Sequence, residues 1–218
     1  MKHQIKRQLV ELIVDLVCAA QKDERDILSI PVGVSNRHVH LCRRDMDILF
    51  GSGYEMQVLR ELTQEGYYAA RETVVVAGPG GAVGGVRLLG PLRAHTQIEL
   101  LLTDEKTLGV KIPLRDSGDL GLSRPVTLIG PAGTVSNDTG VMAALRHIHM
   151  NTGEAVTLGL RDGDLVCAET QGERSVVFQK IRIRVGNFRT ELHLDVDEAN
   201  ACGLKHGDKV RIICERKD

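Results

Sequence analysis

Apolar residues at Ile5, Leu9, Val10, Leu12, Ile13, Leu16 and Val17 fall at helical spacing, with Lys6, Arg7, Glu11 and Asp15 between them. The spacing predicts an amphipathic helix over residues 4–20. A charged linker follows over 21–30. Beyond it the period changes from helical to alternating, and short Val/Ile/Leu runs are separated by Gly, Pro and Asp turns, the pattern of β structure. A strand is expected over 27–41, then a helix from Arg43 to Phe50 stopped by Gly51 and Gly53. Strands over Thr73–Val76 and Val86–Leu89 flank a turn at Gly78-Pro79-Gly80-Gly81, and another runs from Thr96 to Leu102. That glycine run has no following G-K-[ST] and opens no helix, so it reads as a turn and not a phosphate loop.

Two segments repeat. Val126 to Gly133 echoes Val74 to Gly81, and Gly159 to Val166 echoes Gly203 to Val210. Asn151 with Glu154 reads as a capping box, and Asp197 as the cap of a helix from Glu198 to Cys202. Short helices between strands suit small closed barrels. The expected fold is mainly β: two small β-barrels with short inserted helices, related by internal repeat, plus the N-terminal amphipathic helix. Residues 36–145 would form one barrel, and 31–35 with 146–218 the other.

Composition narrows the function. The 218 residues carry a net charge of −1, with no Trp, three Phe and three Tyr, which disfavours nucleic-acid binding by charge or by stacking. No apolar run approaches the roughly 18 residues of a membrane span. The five cysteines, at 18, 42, 167, 202 and 214, form no C-x-x-C pair, so neither a zinc ribbon nor a disulfide framework is expected. A reducing interior is the natural compartment.

The chemistry lies in two histidine pairs, Arg37-His38-Val39-His40-Leu41 and Arg146-His147-Ile148-His149-Met150. In a strand, His38 and His40 share one face, as do His147 and His149. Each pair can offer two imidazoles to one metal, and neutral imidazole is a good zinc ligand. Glu99, a carboxylate inside an apolar strand, needs a partner and is a candidate ligand or bridge. Arg93 has the guanidinium fork that matches phosphate. Alternation along 189–195 puts Glu191, His193 and Asp195 on one face, making His193 a further ligand or substrate contact. His95 and His206 read as surface residues, and His3 belongs to the first helix.

Four motifs carry a resemblance: Ser-Asn-Arg-His-Val-His-Leu at 35–41, Arg-Leu-Leu-Gly-Pro-Leu-Arg at 87–93, Arg-His-Ile-His-Met at 146–150, and Leu-His-Leu-Asp-Val-Asp-Glu-Ala-Asn-Ala at 192–201. Together they resemble the PduL-type phosphate propanoyltransferases, phosphotransacylases of bacterial microcompartments. The resemblance implies conversion of acyl-CoA (propanoyl-CoA or acetyl-CoA) and phosphate into acyl phosphate and coenzyme A. It implies two β-barrels with two zinc ions per chain at their junction, and a homodimer. His38, His40 and Glu99 would serve one zinc, and His147, His149 and His193 the other. Arg93 would hold phosphate, with Arg93 and Glu99 the catalytic residues. Ser35, Arg87 and Asn200 would lie along the CoA path, and His193 would also contact substrate. Residues 1–20 take the form of an encapsulation helix, which would place the enzyme in a microcompartment lumen against shell or lumen proteins. Two alternatives share these residues: a dinuclear zinc hydrolase acting without phosphate, and a non-enzymatic scaffold stapled by zinc.

Overall fold

The structure, a computed structural model, describes residues 29–213. The expected helix at 4–20 and most of the linker over 21–30 lie outside the described residues, as do His3, Cys18 and Cys214.

The strand expected over 27–41 is two strands in two different sheets. β1 (Ser29–Ser35) and β2 (His38–His40) are separated at Asn36-Arg37, where the chain crosses from one unit to the other. β1 joins the late strands β11 (His147–Asn151), β12 (Leu165–Glu169), β13 (Val177–Gly186), β14 (Glu191–Asp195) and β15 (Lys209–Ile213) in a closed barrel of order β1-β14-β11-β13-β12-β15. β1 runs parallel to β14, and β11 parallel to β13. The barrel carries two short helices, α3 (Thr152–Leu158) and α4 (Val196–Cys202). Its interior is filled by Val32, Ile148, Met150, Ile181, Ile183, Leu192 and Leu194. These alternate with His147, His149, Arg182, Arg184, Glu191 and His193, which therefore stand on the outer face.

The second unit is a nine-stranded sheet that does not close, in contrast to the expected first barrel. It comprises β2, β3 (Val58–Glu61), β4 (Tyr68–Gly78), β5 (Gly81–Gly90), β6 (Gln97–Glu99), β7 (Leu114–Arg115), β8 (Leu122–Ile129), β9 (Thr134–Thr139) and β10 (Val141–Ala144). The path ends at β7 and β9, and β3 adds beside β4. Two helices, α1 (Arg43–Phe50) and α2 (Asp104–Leu108), accompany the sheet. Leu41, Met46, Leu49, Leu88, Ile98, Leu108 and Leu128 share one core. Val39 and Ile98 point into that core, so His38, His40, Gln97 and Glu99 lie on the opposite face.

The repeats have local structural counterparts, each inside one unit and not between the two. In the sheet, the turns at 78–81 and 130–133 each donate one amide to a helix end: Gly80 N to Leu108 O at 2.9 Å, and Ala132 N to Leu49 O at 2.9 Å. Helix C-terminal carbonyls lack intrahelical donors, and these hairpins supply them. The approach is close enough to require glycine: a Cβ on Gly78 would lie 2.3 Å from Leu108 O, and one on Gly130 2.4 Å from Leu49 O. Gly78→Ala and Gly130→Ala are each expected to destabilise by about 1–3 kcal/mol in urea unfolding, because backbone must move. A change within about 0.5 kcal/mol, the range of neutral surface substitutions, would show that the helix ends shift freely.

In the barrel, Arg161 N donates to Asp164 Oδ2 and Lys205 N to Asp208 Oδ2, both at 2.8 Å. The glycines closing α3 and α4, Gly159 and Gly203, have φ of 66° and 72°. That left-handed conformation costs glycine no Cβ clash.

Two caps differ from expectation. Asn151 Oδ1 accepts Gly153 N at 2.9 Å, but Glu154 does not return to complete a box, since its carboxylate accepts Thr190 Oγ1 instead. The cap of α4 is Asp195, whose Oδ1 accepts Glu198 N at 2.8 Å. Asp197 is engaged by the other unit, where it accepts Thr103 N at 3.1 Å and Thr103 Oγ1 at 2.9 Å. No described helix is long and apolar enough to cross a membrane.

Candidate active site

The outer face of the barrel and the non-core face of the open sheet meet, and the histidines lie where they meet. In the sheet, antiparallel pairing of β2 with β6 sets His38 opposite Glu99 and His40 opposite Gln97. His38 Nε2 is 3.3 Å from Glu99 Oε2. The ligand-type atoms of His38, His40 and Glu99 all lie within 4.8 Å of one another, and all three residues are buried. In the barrel, β11 pairs with β14 so that His147 faces His193. Their rings stack at 5.0 Å, and His149 lies 4.9 Å from His147 and 4.6 Å from His193, ring centre to ring centre. Glu99 acts electrostatically on His147 and His193 as well as on His38 and His40, so both trios belong to one cluster.

Each pair is oriented in the same way. Nδ1 of His38 lies 2.8 Å from Asn36 O, and Nδ1 of His147 lies 2.9 Å from Leu145 O. A ring N–H donated to a carbonyl leaves the lone pair on Nε2, the arrangement that prepares histidine to bind a metal. His40 bonds the Leu89 backbone through its ring. Among the described residues its Nδ1 is buried without a hydrogen-bond partner, as is His149 Nδ1, while His193 Nε2 lies 3.2 Å from Glu191 Oε2. Buried nitrogen without a partner is costly, and a cation is a natural one. The donor set of imidazole and carboxylate suits zinc. His38, His40 and Glu99 thus fit a metal, while the rings of His147, His149 and His193 are gathered together without their ligand-type atoms converging as closely.

Electrostatics keep the ligands ready. Burial, reinforced by His38 and Arg93, pushes His40 down to about 3. Burial, with His147 and Arg184, pushes His149 down to about 4. His147 and His193 shift the same way, chiefly through burial. These rings are therefore neutral at physiological pH, the form that ligates. In the His38–Glu99 pair, burial opposes charge on both members, but their mutual attraction wins, raising His38 and holding the Glu99 carboxyl well below the usual range. The other Glu99 oxygen accepts from Gln97 Nε2 and from Ser117 Oγ, the latter at 3.0 Å.

The remaining expected residues are distributed unevenly. Arg93 follows the bend after β5, its amide donating to Leu41 O at 2.9 Å. Its guanidinium makes no hydrogen bond among the described residues, while its charge reaches His38 and His40. Arg87 is the parallel neighbour of His38, but Nη1 is tied to Ala70 O at 3.2 Å and Arg71 O at 2.7 Å. Ser35 ends β1 opposite Asp195. Asn200 is exposed on α4, where its carbonyl accepts Gly203 N at 3.4 Å. The expected surface residue His206 is exposed, yet its Nδ1 accepts Val34 N at 3.4 Å and it acts on Glu191.

Several neighbours carry little or no signal in the sequence. Gln97 shares its strand face with Glu99, so alternation alone could have marked it. Ser117, Phe188 and Arg184 come from distant segments and have no local signal. Phe188 stacks on His149 at 4.3 Å. Arg184 is the parallel neighbour of His149 and reaches Asp116 Oδ1 at 3.4 Å across the unit boundary.

Residues 31–205 match the family model described as phosphate propanoyltransferase. The chain belongs to that family. It is similar to a phosphate propanoyltransferase of Rhodobacter capsulatus, 49% identical over 95% of this chain and 96% of the relative. One from Thermotoga maritima is 49% identical over 84% of this chain and 89% of its own length. One from Clostridioides difficile is 41% identical over 94% and 97%. The chain is accordingly an acyltransferase, and family membership supports phosphotransacylase activity.

Proposed function

We propose that the protein interconverts acyl-CoA plus phosphate and acyl phosphate plus coenzyme A at a dinuclear zinc site between its two units. The observation that carries this reading is the buried cluster of His38, His40 and Glu99, whose ligand-type atoms lie within 4.8 Å of one another, with the rings of His147, His149 and His193 gathered beside it. His38, His40 and Glu99 would hold one zinc, and His147, His149 and His193 the other. Zinc bound there supplies positive charge that offsets two anionic substrates and polarises the thioester carbonyl.

The chain's own residues do the rest. Arg93, half-buried and without a hydrogen-bond partner among the described residues, takes the phosphate in its guanidinium fork. Ser35, Arg87 and Asn200 would line the path of coenzyme A, with His193 also in reach of substrate. Holding both substrates in one cleft makes the attack effectively intramolecular. A phosphate oxygen forms the new bond to the acyl carbon, and the carbon–sulfur bond breaks to release the thiolate. Cys42 is not needed as a carrier; its Sγ accepts Thr96 Oγ1 at 3.5 Å. Propanoyl-CoA and acetyl-CoA both suit this chemistry. The working form in this reading is a homodimer in a microcompartment lumen, with residues 1–20 as the segment that meets shell or lumen proteins.

The test is thiol release from propanoyl-CoA and acetyl-CoA, with and without phosphate, in metal-replete and chelator-stripped protein. Release that requires both phosphate and metal is expected. Release without phosphate would mean a hydrolase, and none from folded, zinc-loaded protein would mean a scaffold.

A further inference from the structure

The arginine that precedes each histidine pair has no part in the reaction above, yet both are held firmly. Arg37 Nε donates to both carboxylate oxygens of Asp104, at 2.7 and 2.8 Å. Asp104 is 2% exposed, and its Oδ2 also accepts Leu101 N at 3.0 Å. A carboxylate buried this deeply depends on such partners. On the barrel side, Arg146 Nη1 donates to Glu198 Oε1 at 2.7 Å, and the Arg146 guanidinium lies over the Phe178 ring at 5.3 Å.

The two acids sit at the beginnings of α2 and α4, and these two ends touch. Thr103, immediately before Asp104, donates its amide and its hydroxyl to Asp197, immediately before Glu198. One polar chain therefore runs from Arg37 through Asp104, Thr103, Asp197 and Glu198 to Arg146. Its two ends are the residues next to His38 and His147.

Separate cores hold the two trios, one in the open sheet and one in the barrel. Neither core by itself sets the distance between them. Other contacts cross the boundary: Thr63 with Glu191 and Gln64 with Arg189 from the loop after β3, and Asp116 with Arg182 and Arg184 beside the second histidine pair, at longer distances of 3.4 Å. The chain through Thr103 and Asp197 reaches both histidine pairs.

We infer that Arg37 and Arg146, joined through the Thr103–Asp197 contact, are positioning residues that set the spacing of the two histidine clusters. The catalytic consequence rests on the phosphotransacylase reading, because transfer between substrates held by opposite units is sensitive to misplacement of an ångström.

The test uses the full chain carrying Thr103→Val, Asp197→Asn or both. Thr103 is exposed and outside either core, so these variants are expected to fold with an unchanged melting temperature. Each should lower kcat about 5- to 10-fold while leaving KM for acyl-CoA and phosphate within about twofold. The double variant should fall no further than the lower single one, since both remove one contact, and Thr103→Ser should retain wild-type kcat. Independently of turnover, the imidazole NMR resonances of both His38 and His147 in metal-free protein should move in Thr103→Val, with those of His206 unmoved. Unchanged kcat with unmoved resonances would overturn the inference, as would a loss of kcat that only follows a loss of melting temperature. Absence of phosphate-dependent thiol release in the wild type would instead sink the functional reading, and the resonances would then decide the positioning role.

Discussion

Glu99→Gln is expected to lower kcat/KM by roughly 10²- to 10³-fold, on the scale of losing one charge-stabilising group in an active site. The substitution keeps the shape of the side chain. Its amide oxygen can still accept from Gln97 Nε2 and Ser117 Oγ, the two donors that fix Glu99 now. The lost element is the negative charge, buried 3.3 Å from His38 Nε2 and felt by histidines of both trios. Without it the first trio becomes a weaker cation site, and the anionic substrates lose part of the charge balance around them. Steady-state kinetics, bound zinc by mass spectrometry and a melting curve together test this. Zinc content should fall while folding survives. Activity within about threefold of wild type, under 1 kcal/mol in the barrier, would remove Glu99 from the reacting centre.

Chelation should abolish thiol release, and added zinc should restore it. The metal-free protein also carries a pH signature. His40 and His149 have folded values of about 3 and about 4, below the ordinary 6.5. Above pH 6.5 these rings are neutral in both folded and unfolded chains, and they cost nothing. As pH falls below 6.5 the unfolded chain binds protons that the folded chain refuses, so stability declines. The decline should run from pH 6.5 down to about 4 for His149 and about 3 for His40. His38 works the other way, since its raised value favours the folded state below 6.5 and loses that contribution as pH rises. Melting temperature against pH measures the balance, and a His40→Ala, His149→Ala double variant should flatten the acid limb. Glu198, pushed up to about 7 by burial, works against this decline in both proteins, so an acid limb identical in the parent and the double variant would contradict the burial of these imidazoles.

Much of this site is legible in the order of residues alone. A strand alternates faces every residue, so His38 with His40 and His147 with His149 had to be paired, and Glu191 had to share a face with His193. Helix ends are likewise local: Arg43 to Phe50 closes at Gly51, whose φ is 106°. The recurring glycine turns are visible because a positive φ or a close backbone approach leaves a mark on residue type.

What the residue order does not carry is which strands pair and which partner a polar side chain chooses. The strand expected over 27–41 divides at Asn36-Arg37 because β1 finds β14 and β15, more than 150 residues away, while β2 finds β5 and β6. The nine-stranded sheet stays open because its end strands, β7 and β9, do not pair with each other. Asp197 reads as the cap of α4 by sequence, but the helix begins at Val196, so Asp195 caps it and Asp197, in its first turn, accepts from Thr103 of the other unit. Glu154 leaves its capping box for Thr190 in the same manner. Periodicity and backbone conformation are local properties, and the chain determined them by itself. Pairing, closure and the competition among polar partners depend on residues brought together from far apart, and those were settled only when the two units folded against each other.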